Sequence, residues 1–109
     1  MSCSRLMQHE VFANPAPRTR NAFPYVAVLQ ADLAGEGSGR IVAPMVPRSA
    51  LSTARGRLMP LVTHDGLEFF LALELMTSIS RVALRTPVGS IAQHREQITR
   101  ALDWLFTGV

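Results

Sequence analysis

Three histidines, eleven arginines and one glycine-rich tract are the residues of this chain whose types could do chemistry. His9, His64 and His94 stand far apart, without the paired spacing of a metal-ligand set, and read as polar surface or turn residues. Gly35, Gly37 and Gly39 have the composition of a phosphate-cradling loop. Such a loop must feed a helix whose N–H groups face the phosphate, whereas here a strand-like run, Arg40-Ile41-Val42-Ala43, follows. The tract therefore reads as a hairpin tip. His64-Asp65 falls in a tight turn, where the aspartate serves the backbone and the histidine is expected to be solvated. No serine sits in a strained elbow sequence. Hydrolytic chemistry on a phosphodiester would need a base, an acid and a cation, and His64, Asp65 and Arg81 are the set reached by elimination. No metal site and no cofactor site is expected.

Composition sets the frame for these residues. The chain has 109 residues, 48% hydrophobic and 17% charged, which suits one globular domain with a real core. Residues 1–7 read as a flexible N-terminal extension, with Met7 opening the first patterned segment, and 8–109 as a single domain. All 11 basic side chains are arginines, against 8 acidic ones, for a net charge of +3. Arginine forks suit carboxylates and phosphates, but these are scattered and make no basic stripe for nucleic acid. The one cysteine, Cys3, cannot form an internal bridge, and the first residues lack a signal peptide's apolar stretch. A cytoplasmic location is the expectation. The longest apolar runs, such as Phe69 to Leu73, are too short to span a bilayer.

The elements that must position any site follow from periodicity. Glu10 to Ala13 and Tyr25 to Gln30 read as strands, separated by a proline-containing loop from Asn14 to Asn21. Arg40 to Ala43 reads as a strand that pairs back on Tyr25 to Gln30. From Pro44 to Arg57 the pattern is irregular, with one short helical turn expected near Ala50. Leu58 to His64 and Leu67 to Leu75 flank Asp65-Gly66, a two-residue connection suited to a hairpin because both positions tolerate positive φ. Pro60 cannot donate to a ladder, which puts its strand at a sheet edge or starts it afterwards. Ser80 to Leu84 is a further strand candidate.

At the C-terminus the period changes. Ile91, Ile98, Ala101, Leu102 and Leu105 recur at helical spacing, so a helix is expected from Ala92 to Phe106, with a Glu96–Arg100 pair on its surface. Gly108 is placed to end it. The sole tryptophan, Trp104, lies on this helix and suits packing in the core or an interface. The last five residues, Leu105-Phe106-Thr107-Gly108-Val109, are apolar for a chain end. They can dock on their own sheet, on a second copy or on a foreign partner.

Gln30-x-Asp32-Leu33, Arg40 to Pro44, Leu61-Val62 through Gly66, and the ending Ile98-x-x-Ala101-Leu102-x-x-Leu105-Phe106-x-Gly108-Val109 occur in that order and at matching distances. Together they resemble the CcdB family, plasmid-maintenance toxins that poison DNA gyrase, from about Met7 to Val109. The resemblance implies a mainly β fold with one α-helix: an SH3-like antiparallel barrel with a long C-terminal helix, assembled as a homodimer. It implies a non-enzymatic toxin, with C-terminal residues that bind the DNA gyrase A subunit. Neutralisation would come from a CcdA-like antitoxin, and promoter DNA would be bound only by the toxin–antitoxin complex. No membrane partner is implied.

Carried over by position, the gyrase-binding surface falls on Leu33, Asp103, Phe106, Thr107, Gly108 and Val109, with Trp104 and Leu105 as candidates for the dimer interface. This chain departs from the family pattern at three places. Thr107 stands where well-studied members have a tryptophan, Asp103 where they have asparagine, and Ala34 where they have a second isoleucine. A tryptophan face on which an arginine stacks contributes about 1–2 kcal/mol when desolvated. Trp104 lies three residues earlier and points elsewhere on the helix. The alternatives to a gyrase poison are a non-toxic dimer that keeps antitoxin binding and a toxin endoribonuclease on the same fold.

Overall fold

Val26-Ala27-Val28-Leu29 is apolar without alternation because its strand is covered on both faces. The computed structural model describes residues 8–30, 39–50 and 59–107. Ala27 and Leu29 enter a main core with Val11, Met45, Leu71 and Ile98, whereas Val26 and Val28 enter a smaller cluster with Phe12, Val42 and Leu84. Strands buried on both sides lose the period-2 signal and read as continuous hydrophobic runs.

Among the described residues, seven strands form one antiparallel sheet: β1 (Glu10–Ala13), β2 (Tyr25–Gln30), β3 (Gly39–Pro47), β4 (Leu61–His64), β5 (Leu67–Leu71), β6 (Thr77–Ser80) and β7 (Gly89–Ser90). Their order is β4-β5-β3-β2-β1-β7, with β6 beside the first half of β3. The helix α1 (Arg95–Thr107) follows a short 3-10 turn at Ala92–His94. Ile98 and Ala101 bury the inner side of α1 in the main core. The expected barrel-like sheet with a C-terminal helix is what the chain forms.

The two ends of the strand order meet. His64 of β4 lies against Gly89 of β7 so closely that a Cβ at position 89 would stand 2.6 Å from Cε1 and 2.7 Å from Nδ1. On its other sides the His64 ring packs edge-on to Tyr25, with centroids 4.7 Å apart, and near Phe69. The sheet is thereby drawn into a nearly closed barrel. The open edge of β4 is covered by side chains just before and within α1. The Thr63 N–H donates to His94 Nε2 at 3.1 Å, and Gln97 Nε2 donates to the Leu61 carbonyl at 3.0 Å. Unpaired edge groups would otherwise template foreign strands.

Asp65 and Gly66 take φ of 56° and 78°, closing β4 on β5 with His64 opposite Leu67. The strand at Pro60 does start after it, at one end of the strand order. β3 is longer than expected and runs through Pro44 to Pro47. Pro44 stands where the partner of β3 changes from β6 to β5, so its missing N–H breaks no ladder, and its carbonyl accepts from Ala72 N–H at 2.9 Å. The strand expected from Ser80 to Leu84 is instead β6, ending at Ser80, because Ser80 Oγ accepts the Val82 N–H and a 3-10 turn follows at Arg81–Ala83. The helix proper starts at Arg95 rather than Ala92. Glu96 and Arg100 do not pair; both are exposed, where water competes with so weak an attraction. The 1–7 extension and the glycine tract through Ser38 lie outside the described residues.

Two tests follow from this packing. Gly89→Ala is expected to cost about 1–3 kcal/mol in denaturant unfolding because the His64 ring must leave the seam. Gly39→Ala, which meets only the Ser78 hydroxyl at 3.0 Å, is expected to cost less. Equal midpoints for the two variants would mean that the seam is not closed. The second test concerns His9, which is buried at the start of β1 with φ of 73°. Burial, and secondarily the Arg95 charge, hold its pKa below the ordinary 6.5. As pH falls through 6.5, the unfolded chain takes up this proton before the folded one, so acid lowers stability. His9→Asn keeps a residue that tolerates positive φ and should flatten that acid slope in thermal melts. An unchanged slope would remove His9 as its source.

Candidate functional site

Helical spacing divides the end of α1 into two faces. Leu102 and Leu105 turn inward and pack, partly buried, against the main core, while Asp103, Phe106 and Thr107 stand outward at i, i+3 and i+4. Phe106 is 72% exposed, a large aromatic held in water by a helix that is itself anchored to the barrel. The Thr107 hydroxyl donates to the Asp103 carbonyl at 2.5 Å, so this side chain is turned back on its own helix. The Asp103 carboxylate adds negative charge near the negative end of the helix dipole. An aromatic face beside an acidic group at a rigid helix end is suited to a partner that presents an arginine and an apolar cleft.

The residues carried to this surface are therefore partly assembled. Asp103, Phe106 and Thr107 share one face of α1, and Trp104 is half-buried beside them in sequence. Leu105 is committed in part to its own core. Leu33, Gly108 and Val109 lie outside the described residues.

The histidine readings need correction. His64 is not solvated: only 8% of it is accessible, with Tyr25, Phe69 and Gly89 around the ring. Alternation along β4 turns it inward with Val62, and the aromatic ring of Tyr25 completes its cover. Asp65 sits exposed at the hairpin tip beside it, and the Arg81 side chain is outside what is described. The buried ring of His64 is not offered to a scissile phosphate. His9 is likewise buried rather than superficial, enclosed where its backbone links Val28 of β2 to Ile91. Among the described residues, no three of His, Cys, Asp and Glu converge as a metal-ligand set. No helix among them is long and apolar enough to cross a membrane.

Two features escaped the sequence reading. Arg40 is 5% exposed on β3, its Nη1 donating to the Gly39 carbonyl at 2.8 Å while its Nε has no partner among the described residues. Its phase was the available signal, since it shares the side of Val42 on a strand covered on both faces. The second is a groove of about 580 Å³ floored by Pro24, Tyr25, Pro47, Leu67 and Phe69, with the Arg48–Glu68 ion pair of 2.7 Å at its rim. Its members come mainly from β2, β3 and β5, and only the strand pairing brings them together.

No curated protein matches the chain by sequence. The CcdB protein family matches residues 8–108, a span that takes in every described strand and the whole of α1. With a nearly closed antiparallel barrel and a C-terminal helix that carries an exposed aromatic end, the chain belongs to the CcdB family of toxin–antitoxin proteins.

Proposed function

We propose that this chain is the toxin of a toxin–antitoxin pair and that it binds DNA gyrase through the outer face of the α1 end. The supporting observation is the exposed Phe106 between Asp103 and Thr107 on a helix fixed to the barrel. The protein acts by binding, with no chemical step of its own. Gyrase contact residues are Asp103, Phe106 and Thr107, joined by Leu33, Gly108 and Val109. A second copy packs against Trp104 and the outer part of Leu105 to form a two-fold dimer, whose interface is isologous. A CcdA-like antitoxin neutralises the toxin in the cytoplasm, and the two bind promoter DNA as a complex.

A second reading is favoured by Thr107. A threonine bonded back to the Asp103 carbonyl offers no flat face for an arginine, so the protein can retain its dimer and antitoxin contacts while poisoning gyrase weakly.

Induced expression in a gyrase-bearing bacterium without antitoxin separates the two. On the leading reading, the intact chain arrests growth, whereas a chain ending at Phe106 folds and does not. Phe106→Ala should then weaken inhibition of purified gyrase in a supercoiling assay by about 2 kcal/mol, roughly thirtyfold. Toxicity that survives the truncation excludes the helix end as the contact. On the second reading, the intact chain is harmless and Thr107→Trp arrests growth.

A further inference from the structure

The sheet face opposite α1 carries a basic cleft of about 490 Å³ that the helix-end reading does not use. It lies between the segment running from Phe12 to Arg20 and the turn Val82–Thr86. Phe12 belongs to the smaller apolar cluster, with Leu84, whereas α1 is seated on the main core; the two surfaces are therefore on different sides of the barrel.

One wall is held rigidly. Asn14 is buried, its Nδ2 donating to Thr19 Oγ1 at 3.0 Å and the Phe23 carbonyl at 2.8 Å, and its Oδ1 accepting from Ala16 N–H at 3.0 Å. Its carbonyl accepts from Arg20 Nε at 2.9 Å, and the Pro15 carbonyl accepts from Arg20 Nη2 at 3.4 Å. The Arg20 guanidinium is thus aimed by backbone oxygens and keeps further N–H groups uncommitted. Arg85 comes from the opposite wall and makes no hydrogen bond or ion pair among the described residues. No acidic residue is among the described residues that line the cleft, so two cations face it without a counter-charge.

The rest of the lining is largely apolar. Pro15, Val82 and Ala83 contribute accessible surface, Phe12 being buried in the core, and Val82 is 85% exposed at the rim. We propose that this cleft is a docking site for an acidic peptide segment of a partner protein, with glutamate or aspartate side chains reaching Arg20 and Arg85 while neighbouring aliphatic side chains pack on Pro15 and Val82. Forked arginines beside exposed aliphatic surface suit carboxylates interleaved with aliphatic side chains. Duplex nucleic acid would instead need a stripe of cations tracking successive phosphates.

The test uses the intact chain and a short fluorescein-labelled peptide of alternating glutamate, leucine and serine, followed by anisotropy. A matched peptide with glutamine for glutamate and a labelled DNA duplex serve as comparisons. The glutamate peptide is expected to bind and to weaken as salt rises. Arg85→Glu, at an exposed position outside the core, should weaken it by about tenfold or more while leaving the fold intact by circular dichroism. Arg20→Gln should weaken it as well. Absence of binding, equal binding of the glutamine peptide, or indifference to Arg85→Glu overturns the proposal. So does Arg85-dependent capture of the duplex in place of the peptide.

Discussion

The barrel depends on one close approach, the His64 ring against the backbone of Gly89. A sheet ordered β4-β5-β3-β2-β1-β7 has two ends, and each would expose unpaired N–H and C=O groups if it stayed open. The imidazole fills the gap between those ends because position 89 has no side chain to keep it out. Tyr25 and Phe69 then close around the same ring, so β2, β4, β5 and β7 share one aromatic joint. The helix and the turn before it finish what the joint begins: His94 and Gln97 take up the outward polar groups of Thr63 and Leu61. Seating α1 and sealing β4 are consequently one structural event.

That coupling gives the helix end its working character. An exposed phenylalanine on a frayed terminus would collapse onto the nearest apolar surface and lose considerable conformational entropy on binding. Here Ile98, Ala101, Leu102 and Leu105 hold the inner side of α1 to the core, and Phe106 stays in water as a consequence of phase rather than of mobility. The opposite face of the sheet is built differently. Its smaller cluster is covered by Leu84 and Ile79, and its polar cleft is shaped by Asn14 from within the loop.

Much of this architecture was legible from residue order. Asp65-Gly66 announces its hairpin because both residues adopt positive φ readily, and the 3.6-residue spacing of α1 survives since only one side of it is buried. The boundaries of β3 and β6 were not legible. Pro44 reads as a strand breaker unless one knows that a partner exchange spares its absent N–H, and Ser80 ends β6 through a side-chain bond invisible in composition. The histidines were misjudged for a related reason. His9 and His64 are polar residues enclosed by strands distant in sequence, and Gly89, which makes room for one of them, looks like any other turn glycine. The outward triplet on α1 was readable from spacing and family resemblance together, whereas the arginine cleft depends on two loops whose meeting no local pattern encodes.

The strand order also fixes when the folded molecule can exist. β1 pairs with β7, Glu10 opposite Ser90, so the first strand of the chain waits for the last before its outer edge is satisfied. During vectorial synthesis at roughly 5–20 residues per second, β1 to β6 emerge before β7 and α1, so neither the seam nor the cover of β4 can yet form. A nascent or prematurely terminated chain thus lacks both the barrel and the rigid platform for Phe106. The topology is a built-in delay: the barrel is complete only after β7 and α1 are free to dock.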